Sequence, residues 1–118
     1  MLVVTNRIFV NPDHVAVFEH TFLTRSGLVD NMPGFLFNQV LRPVNAGDPY
    51  VILTAWQSRQ EFETWVKSPE FLQGHARSGT LPAETYSQPS KLEIFDVIND
   101  SSRPDLVPEP AGKPFRFH

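Results

Sequence analysis

Residues 54–75, TAWQSRQEFETWVKSPEFLQGH, predict the end of a buried strand followed by two short helices. The strand begins earlier, because residues 50–56 are apolar at almost every position, which is typical of a strand covered on both faces. Residues 58–61, SRQE, match a capping box, in which the serine and glutamate side chains each bond a free backbone amide of the first helical turn. Ser68 and Pro69 then begin a second helix as N-cap and N1. The stretch therefore predicts a strand–helix–helix unit.

Aromatic side chains share one face of these two helices, and a histidine follows them. Phe62 and Trp65 are three positions apart, and Phe71 and His75 are four apart, so each pair lies on one helix face. Gly74 leaves room beside His75 for a flat ligand. Taken alone, a histidine on an apolar face is more often a hydrogen-bonded core residue than a ligand, and Trp65 by the same standard is core. The local pattern leaves a structural and a ligand-binding role open.

The rest of the chain predicts three more strands and one more helix. That helix begins at Asn11, turns Phe18 and Phe22 inwards, and ends at Gly27. With the strand already described, the predicted strands are residues 2–10, 35–42, 50–56 and 92–98. The order βαββαβ is that of a ferredoxin-like α+β fold, with one antiparallel sheet and helices on one face.

The sheet face without helices needs a cover. We expect that face to carry Leu2, Val4 and Phe35, which in water would form a large apolar patch. A second copy of the chain would bury it, so the sequence predicts a homodimer.

Composition limits the other possibilities. The 118 residues suit one domain, which we place at residues 1–99, followed by a proline-rich tail at residues 100–118. A net charge of −3 argues against nucleic acid or an anionic membrane as the main partner, and the absence of cysteine excludes disulfides and thiolate chemistry. No stretch has the pattern of a signal peptide or the length of a membrane span, so we expect a cytoplasmic protein.

Asn6 is the polar exception on the first strand. It alternates with Val4 and Ile8 on one face, although asparagine is unfavourable in strands. A buried amide needs hydrogen-bond partners or it lowers stability. Asn6 is therefore a candidate site residue, as a donor to a ligand or as a structural amide bonded to neighbouring backbone.

Three motifs together carry a family resemblance. They are Asn6-Arg7 in the first strand, residues 22–27 (FLTRSG) at the end of the first helix, and the pattern W-x-S-x3-F-x2-W-x2-S-x2-F-x3-H over residues 56–75. With these motifs the chain resembles the antibiotic-biosynthesis-monooxygenase superfamily of dimeric α+β barrels. Within that superfamily it resembles the IsdG-type haem-degrading monooxygenases, over residues 3–99.

The resemblance implies roles for particular residues. It makes His75 the iron ligand, Asn6 the distal hydrogen-bonding residue, and Trp65 the wall that distorts the haem. Further candidates for contact with haem, the arginines as partners of its propionates, are Phe22, Phe71, Arg25 and Arg77.

The activity that the resemblance implies is the opening of the porphyrin ring with release of iron. Haem would be both substrate and cofactor, O2 the oxidant, and electrons would come from an external reductase or a small reductant, because the chain has no flavin or nicotinamide motif. Three alternatives stay open at this point. They are a cofactor-independent monooxygenase acting on a polyaromatic phenol, a haem-binding carrier that does not degrade haem, and a purely structural dimer.

Overall fold

Four antiparallel strands form one sheet, with helices on one of its faces. The computed structural model describes residues 1–24, 28–72 and 81–107. The strands are hydrogen-bonded in the order β2-β3-β1-β4, and their bounds are β1 Leu2–Ile8, β2 Phe35–Leu41, β3 Tyr50–Trp56 and β4 Lys91–Asp96. The helices are α1 (Val15–Thr24), entered through a 3₁₀ turn at Pro12–His14, and α2 (Arg59–Val66), and residues 69–72 are also helical. The predicted ferredoxin-like α+β fold is confirmed.

The predicted element bounds need small corrections. The first strand ends at Ile8, and Val10 instead makes an isolated bridge with Tyr86. Asn11 does not cap the first helix with its side chain; its Nδ2 donates to the Glu84 carbonyl at 2.6 Å. Gly27, the predicted end of that helix, lies outside the described residues.

The sheet register decides which side chains face the helices. Residues paired across antiparallel strands point to the same face, so Leu2 and Val4 of β1 share a face with Trp56 of β3. Leu2 is 1% exposed and Val4 6% exposed, and Phe35 packs against the same cluster. The prediction that Leu2, Val4 and Phe35 lie on the open face is therefore wrong. Both faces of the sheet carry apolar residues, and alternation alone does not say which face the helices cover.

The open face carries a different set of apolar side chains. Phe37, Leu41 and Phe95 point to it and are 40%, 42% and 46% exposed. Val51 and Leu53 of β3 also face this side and are only partly buried, so β3 is covered on one face within a single chain rather than on both. The apolar open face remains a feature that needs a cover.

Two separate clusters make up the core on the helix-covered face. The first lies under α2 and contains the buried residues Leu2, Val4, Val29 and Trp56, with Met32, Phe35, Phe62 and Trp65 packed against them. The second lies under α1 and contains Ile8, Phe18, Tyr50 and Ile52, with Val10, Val15, Phe22, Val40, Leu81 and Tyr86 packed against them. The predicted inward face of α1 is confirmed.

A charged group fastens α1 to the strands β2 and β3. The guanidinium of Arg42 donates from Nε and Nη2 to the two carboxylate oxygens of Glu19, at 2.9 and 2.6 Å, and the Tyr50 hydroxyl donates to the same carboxylate. Hydrogen bonds from Arg42 and then Tyr50 lower the pKa of Glu19 to about 2. Burial, reinforced by the bond to Glu19, raises the pKa of Tyr50. The position of α1 is thus held by a directed polar contact as well as by apolar packing.

Serine begins both of the later helices, but in different ways. Ser58 is the N-cap of α2, as predicted, yet its hydroxyl donates to the Glu61 carboxylate and makes no bond to a backbone amide. The predicted capping box is therefore wrong in its bonding, and the hydroxyl instead lowers the pKa of Glu61. Ser68 behaves as predicted, since its Oγ accepts from the Phe71 backbone amide at 3.2 Å.

The chain after β4 returns to the N-terminus. The Met1 amino group donates to the Leu106 carbonyl, the Val97 amide donates to the Met1 carbonyl at 3.0 Å, and Pro104–Leu106 form a 3₁₀ turn. The tail therefore begins with a short 3₁₀ helix, and its separation from the domain at residue 99 stays a prediction. Within the described ranges, no helix has the length and apolar character to cross a membrane.

Two glycines with positive φ allow the cost of a steric clash to be separated from the cost of the backbone conformation. Gly34 (φ 79°) precedes β2, and Gly47 (φ 91°) lies in the hairpin between β2 and β3. A Cβ at Gly34 would overlap the Glu61 side chain, lying 2.6 Å from its Cβ, whereas a Cβ at Gly47 meets nothing within 4 Å.

We expect Gly47→Ala to lower the free energy of unfolding by about 1–2 kcal/mol, the backbone cost of a left-handed alanine. Gly34→Ala should lower it by at least about 1 kcal/mol more, because it adds a steric clash to the same backbone cost. Urea unfolding of both variants measures the difference. Equal losses would show that Glu61 moves aside freely.

Candidate active site

Asn6 lies between the two core clusters. On β1 it pairs with Ile52 of β3 and Leu92 of β4, and it points to the helix-covered face with Val4 and Ile8. Val4 belongs to the first cluster and Ile8 to the second, and both are almost completely buried, whereas Asn6 is only partly buried. No other residue in the described part of the chain accepts from or donates to the Asn6 side chain. The described residues therefore do not show the structural alternative, in which the amide is bonded to neighbouring backbone.

Trp65 extends the first cluster outwards from the sheet. Its ring stacks on that of Trp56, with centroids 6.3 Å apart and planes at 29°, and the Phe71 ring meets it edge-on at a centroid distance of 5.5 Å. Trp56 is fully buried, while Trp65 and Phe71 are partly buried. Trp65 is therefore held from behind by core packing while part of its surface stays open, which is the arrangement of a rigid wall.

Ser68 fixes the direction of the chain beyond Trp65. Its amide and its hydroxyl both donate to the Trp65 carbonyl, at 3.0 and 2.6 Å, and its Oγ accepts from the Phe71 amide. These bonds set Phe71 against Trp65 and begin the helical turn at residues 69–72. Three sequence-predicted site residues lie outside the described residues, and they are His75, Arg25 and Arg77.

Phe22 stands on the opposite side of Asn6, with the second cluster. Its ring lies 4.5 Å from that of Phe18, tilted by 38°. Phe22 is partly buried, as Trp65 and Phe71 are. Among the described residues, the structure thus places an unbonded side-chain amide on the sheet between two groups of partly buried aromatic rings. Such a surface is suited to a flat apolar molecule that also accepts a hydrogen bond.

Residues 85–87 are hydrogen-bonded to the chain just after β1. The Asn11 amide donates to the Thr85 carbonyl at 2.8 Å, and the Ser87 amide donates to the Phe9 carbonyl at 3.0 Å. Tyr86 packs against the second cluster and meets Phe18 edge-on. Sequence reasoning gave Tyr86 no role, because a residue in an irregular segment between two prolines shows no periodicity that would mark it as buried.

The family model described as antibiotic biosynthesis monooxygenase matches residues 1–77. The chain belongs to this family. The resemblance predicted from residues 56–75 is thereby confirmed, and so is the prediction of a monooxygenase.

Two relatives carry named activities. A haem oxygenase (mycobilin-producing) of Mycobacterium tuberculosis is 38% identical over 82 residues, which cover 70% of this chain and 74% of the relative. A haem-degrading monooxygenase of Bacillus thuringiensis is 32% identical over 99 residues, which cover 82% of this chain and 90% of the relative.

A solved structure shows the same architecture. The haem degrader MhuD from Mycobacterium tuberculosis, with two haems bound in its active site, superposes with a TM-score of 0.68 at 31% identity. The match covers 85% of this chain and 98% of that one. The similarity therefore extends from the motifs to the whole βαββαβ fold.

Trp65 and Trp56 provide a matched pair for testing whether Trp65 is more than core. We expect Trp56→Ala to lower the free energy of unfolding by ~3–5 kcal/mol, the usual loss for a fully buried aromatic residue. Trp65→Ala should cost less than ~3 kcal/mol, because part of its ring is already exposed. Denaturant unfolding measures both, and equal losses would make Trp65 an ordinary core residue.

Proposed function

We propose that this chain is a haem-degrading monooxygenase, which binds haem between the sheet and the helices and opens the porphyrin ring with O2 and external electrons, releasing iron. The observation that carries the proposal is the Asn6 side-chain amide on an apolar sheet face, which has no hydrogen-bond partner among the described residues and is flanked by partly buried aromatic rings. The named activities of the relatives from Mycobacterium tuberculosis and Bacillus thuringiensis support the same choice.

The described residues fit a porphyrin in shape and polarity. Trp65 and Phe71 on one side and Phe22 on the other offer flat apolar surfaces, and Asn6 offers one hydrogen-bond donor. Haem, when bound, supplies the iron at which O2 reacts and the ring that is oxidised.

Asn6 would act through its amide hydrogens. In a site from which the helices exclude much of the water, one oriented donor stabilises developing negative charge on oxygen far more than water does. Because β1 is the central strand between β3 and β4, the amide keeps its direction without reorganising during the reaction. We assign Asn6 the role of the distal donor.

Trp65 would set the shape of the bound ring. Its support by Trp56 and Phe71 leaves it little freedom to move away from a ligand pressed against it. We assign it the role of the wall that bends the porphyrin plane. Its volume, rather than any hydrogen bond, is what this role requires.

His75 is our proposed iron ligand, on the strength of the family pattern in residues 56–75 and of the helical turn that Ser68 begins. A neutral His75 imidazole would hold the haem iron, and the iron would supply the reaction with O2. Arg25 and Arg77 are proposed partners of the propionates. The electron donor is proposed to be an external reductase or a small reductant, and the cytoplasmic location stays a prediction.

A hemin experiment tests the function directly. We expect the wild-type protein to give a Soret band on titration with hemin and to lose it on addition of ascorbate in air. His75→Ala should abolish stoichiometric binding. Asn6→Ala should keep the Soret band but slow its loss by about a hundredfold to a thousandfold, because one donor in a preorganised site is worth roughly 2.7–4 kcal/mol.

Asn38→Ala is the matched control for Asn6→Ala. Asn38 lies on β2, pairs with Thr54, and points to the same sheet face as Asn6, but it is exposed at the far edge of the sheet. The Asn38→Ala variant should bleach hemin at the wild-type rate. A protein that binds hemin without bleaching it would be a carrier, and a protein that does not bind it would leave the cofactor-independent or structural alternatives.

We also propose that the active form is a homodimer in which two open sheet faces pack together. The proposal rests on Phe37, Leu41 and Phe95, which share that face and are each at least 40% exposed. Two sheets packed face to face would bury them at the usual spacing of about 10 Å. The family resemblance supports the same arrangement.

Light scattering tests the dimer. The wild-type chain of 13.4 kDa should show roughly twice that mass in dilute solution. Phe37→Glu should shift it towards the monomer, because a carboxylate in an apolar interface loses its hydration. Val17→Glu, at a side chain 55% exposed on α1, is the control and should stay dimeric. A wild-type monomer would contradict the proposal.

A further inference from the structure

Two apolar side chains of β4 are exposed on the sheet face that the helices otherwise cover. Leu92 is 61% exposed and Ile94 is 43% exposed. Leu92 pairs with Asn6 and Ile94 pairs with Val4, so both point to the helix-covered face. Their exposure contrasts with that of Val4, which is 6% exposed on the neighbouring strand.

The helical layer is displaced towards the other edge of the sheet. Among the described residues, the members of both core clusters come from β1, β2, β3 and the segments that pack on them, and none comes from β4. Within the described part of the chain, no core-cluster side chain therefore covers the β4 edge beside Asn6. Leu92 and Ile94 form a short apolar ledge there, continuous with the strand that carries the proposed distal donor.

The charges around this ledge limit what can lie on it. Alternation along β4 sends Lys91 and Glu93 to the open face, and Arg7 is ion-paired with Glu93 on that side. Asp96, which pairs with Leu2, follows Ile94 on the helix-covered side. A molecule on the ledge therefore meets two aliphatic side chains and then a carboxylate, which favours an uncharged apolar edge and disfavours an anionic one.

We infer that Leu92 and Ile94 support the vinyl and methyl edge of the bound haem, with the propionate edge directed away from β4. The inference rests on the proposed function, since it assigns part of that site. Because this ledge lies beside Asn6, Leu92 and Ile94 would determine which edge of the porphyrin faces β4 and which porphyrins bind. They would keep the propionates pointing away from β4.

The test compares two porphyrins in the intact protein. Hemin carries vinyl groups on the edge in question, and iron haematoporphyrin carries hydroxyethyl groups there while keeping both propionates. We expect the wild-type protein to bind hemin about tenfold more tightly, because the ledge buries apolar surface and offers no partner for a hydroxyl. In Leu92→Gln/Ile94→Gln that preference should fall to about twofold or less, with hemin binding itself weakened about tenfold.

Val44→Gln is the matched control, because Val44 is 98% exposed in the hairpin at the opposite edge of the sheet. It should keep the wild-type preference. Both variants change only exposed side chains, and equal melting temperatures would show that the fold is kept. Light scattering on the same samples should show an unchanged mass.

The outcomes separate this inference from the proposed function. If the wild-type protein fails to bind hemin, the proposed function fails and the ledge has no porphyrin to orient. If the wild-type protein binds and bleaches hemin but the double variant discriminates between the two porphyrins as the wild type does, only the ledge is overturned. A double variant with normal hemin affinity but a monomeric mass would assign the ledge to the contact between copies and would also overturn it.

Discussion

The pairing of β1 with β3 on one side and β4 on the other is the constraint on which the rest of the structure depends. Because side chains alternate strictly along a strand, the register that buries Leu2, Val4 and Ile8 under the helices also turns Asn6 to that face. A slip of one residue would turn all four side chains to the other face. The burial of Leu2, Val4 and Ile8 thus holds Asn6 in a β-strand, although asparagine has a low propensity for strands.

Contacts between aromatic side chains fix α2 and the helical turn after it relative to the sheet. Trp56, fully buried on β3, touches Phe35, Phe62 and Trp65, and Trp65 in turn meets Phe71. Each ring is supported by one nearer the centre of the core, so the outermost rings are rigid although they are partly open. Such close packing limits how far these rings can move, which is what the proposed role of Trp65 requires.

The two helices are held by different forces, and the difference shapes the site. α2 is fixed by the aromatic packing around Trp56, whereas α1 is tied to the sheet by Glu19 with Arg42 and Tyr50 as well as by Phe18. Both attachments are on the β2 and β3 side of Asn6. Among the described residues the layer of helices therefore leaves the β4 edge uncovered, and under the proposed function this offset is the route by which the substrate reaches Asn6.

The sequence by itself determined the order of the elements, the helix starts at Ser58 and Ser68, the inward face of α1 and the family pattern in residues 56–75. These features depend on neighbours within a few positions, where periodicity and capping chemistry act. Only the tertiary structure decided which sheet face is covered, because Leu2 and Phe37 are equally apolar and the side taken by the helices is set by the connections between strands. It also decided that Glu61 bonds the Ser58 hydroxyl rather than the backbone, that Glu19 meets Arg42, and that Leu92 and Ile94 stay exposed beside Asn6. The Glu19–Arg42 contact, and the position of Leu92 and Ile94 beside Asn6, each bring together residues that are far apart in the chain. Whether the Ser58 hydroxyl bonds the backbone or the Glu61 carboxylate depends on side-chain geometry. A local sequence pattern predicts none of these contacts.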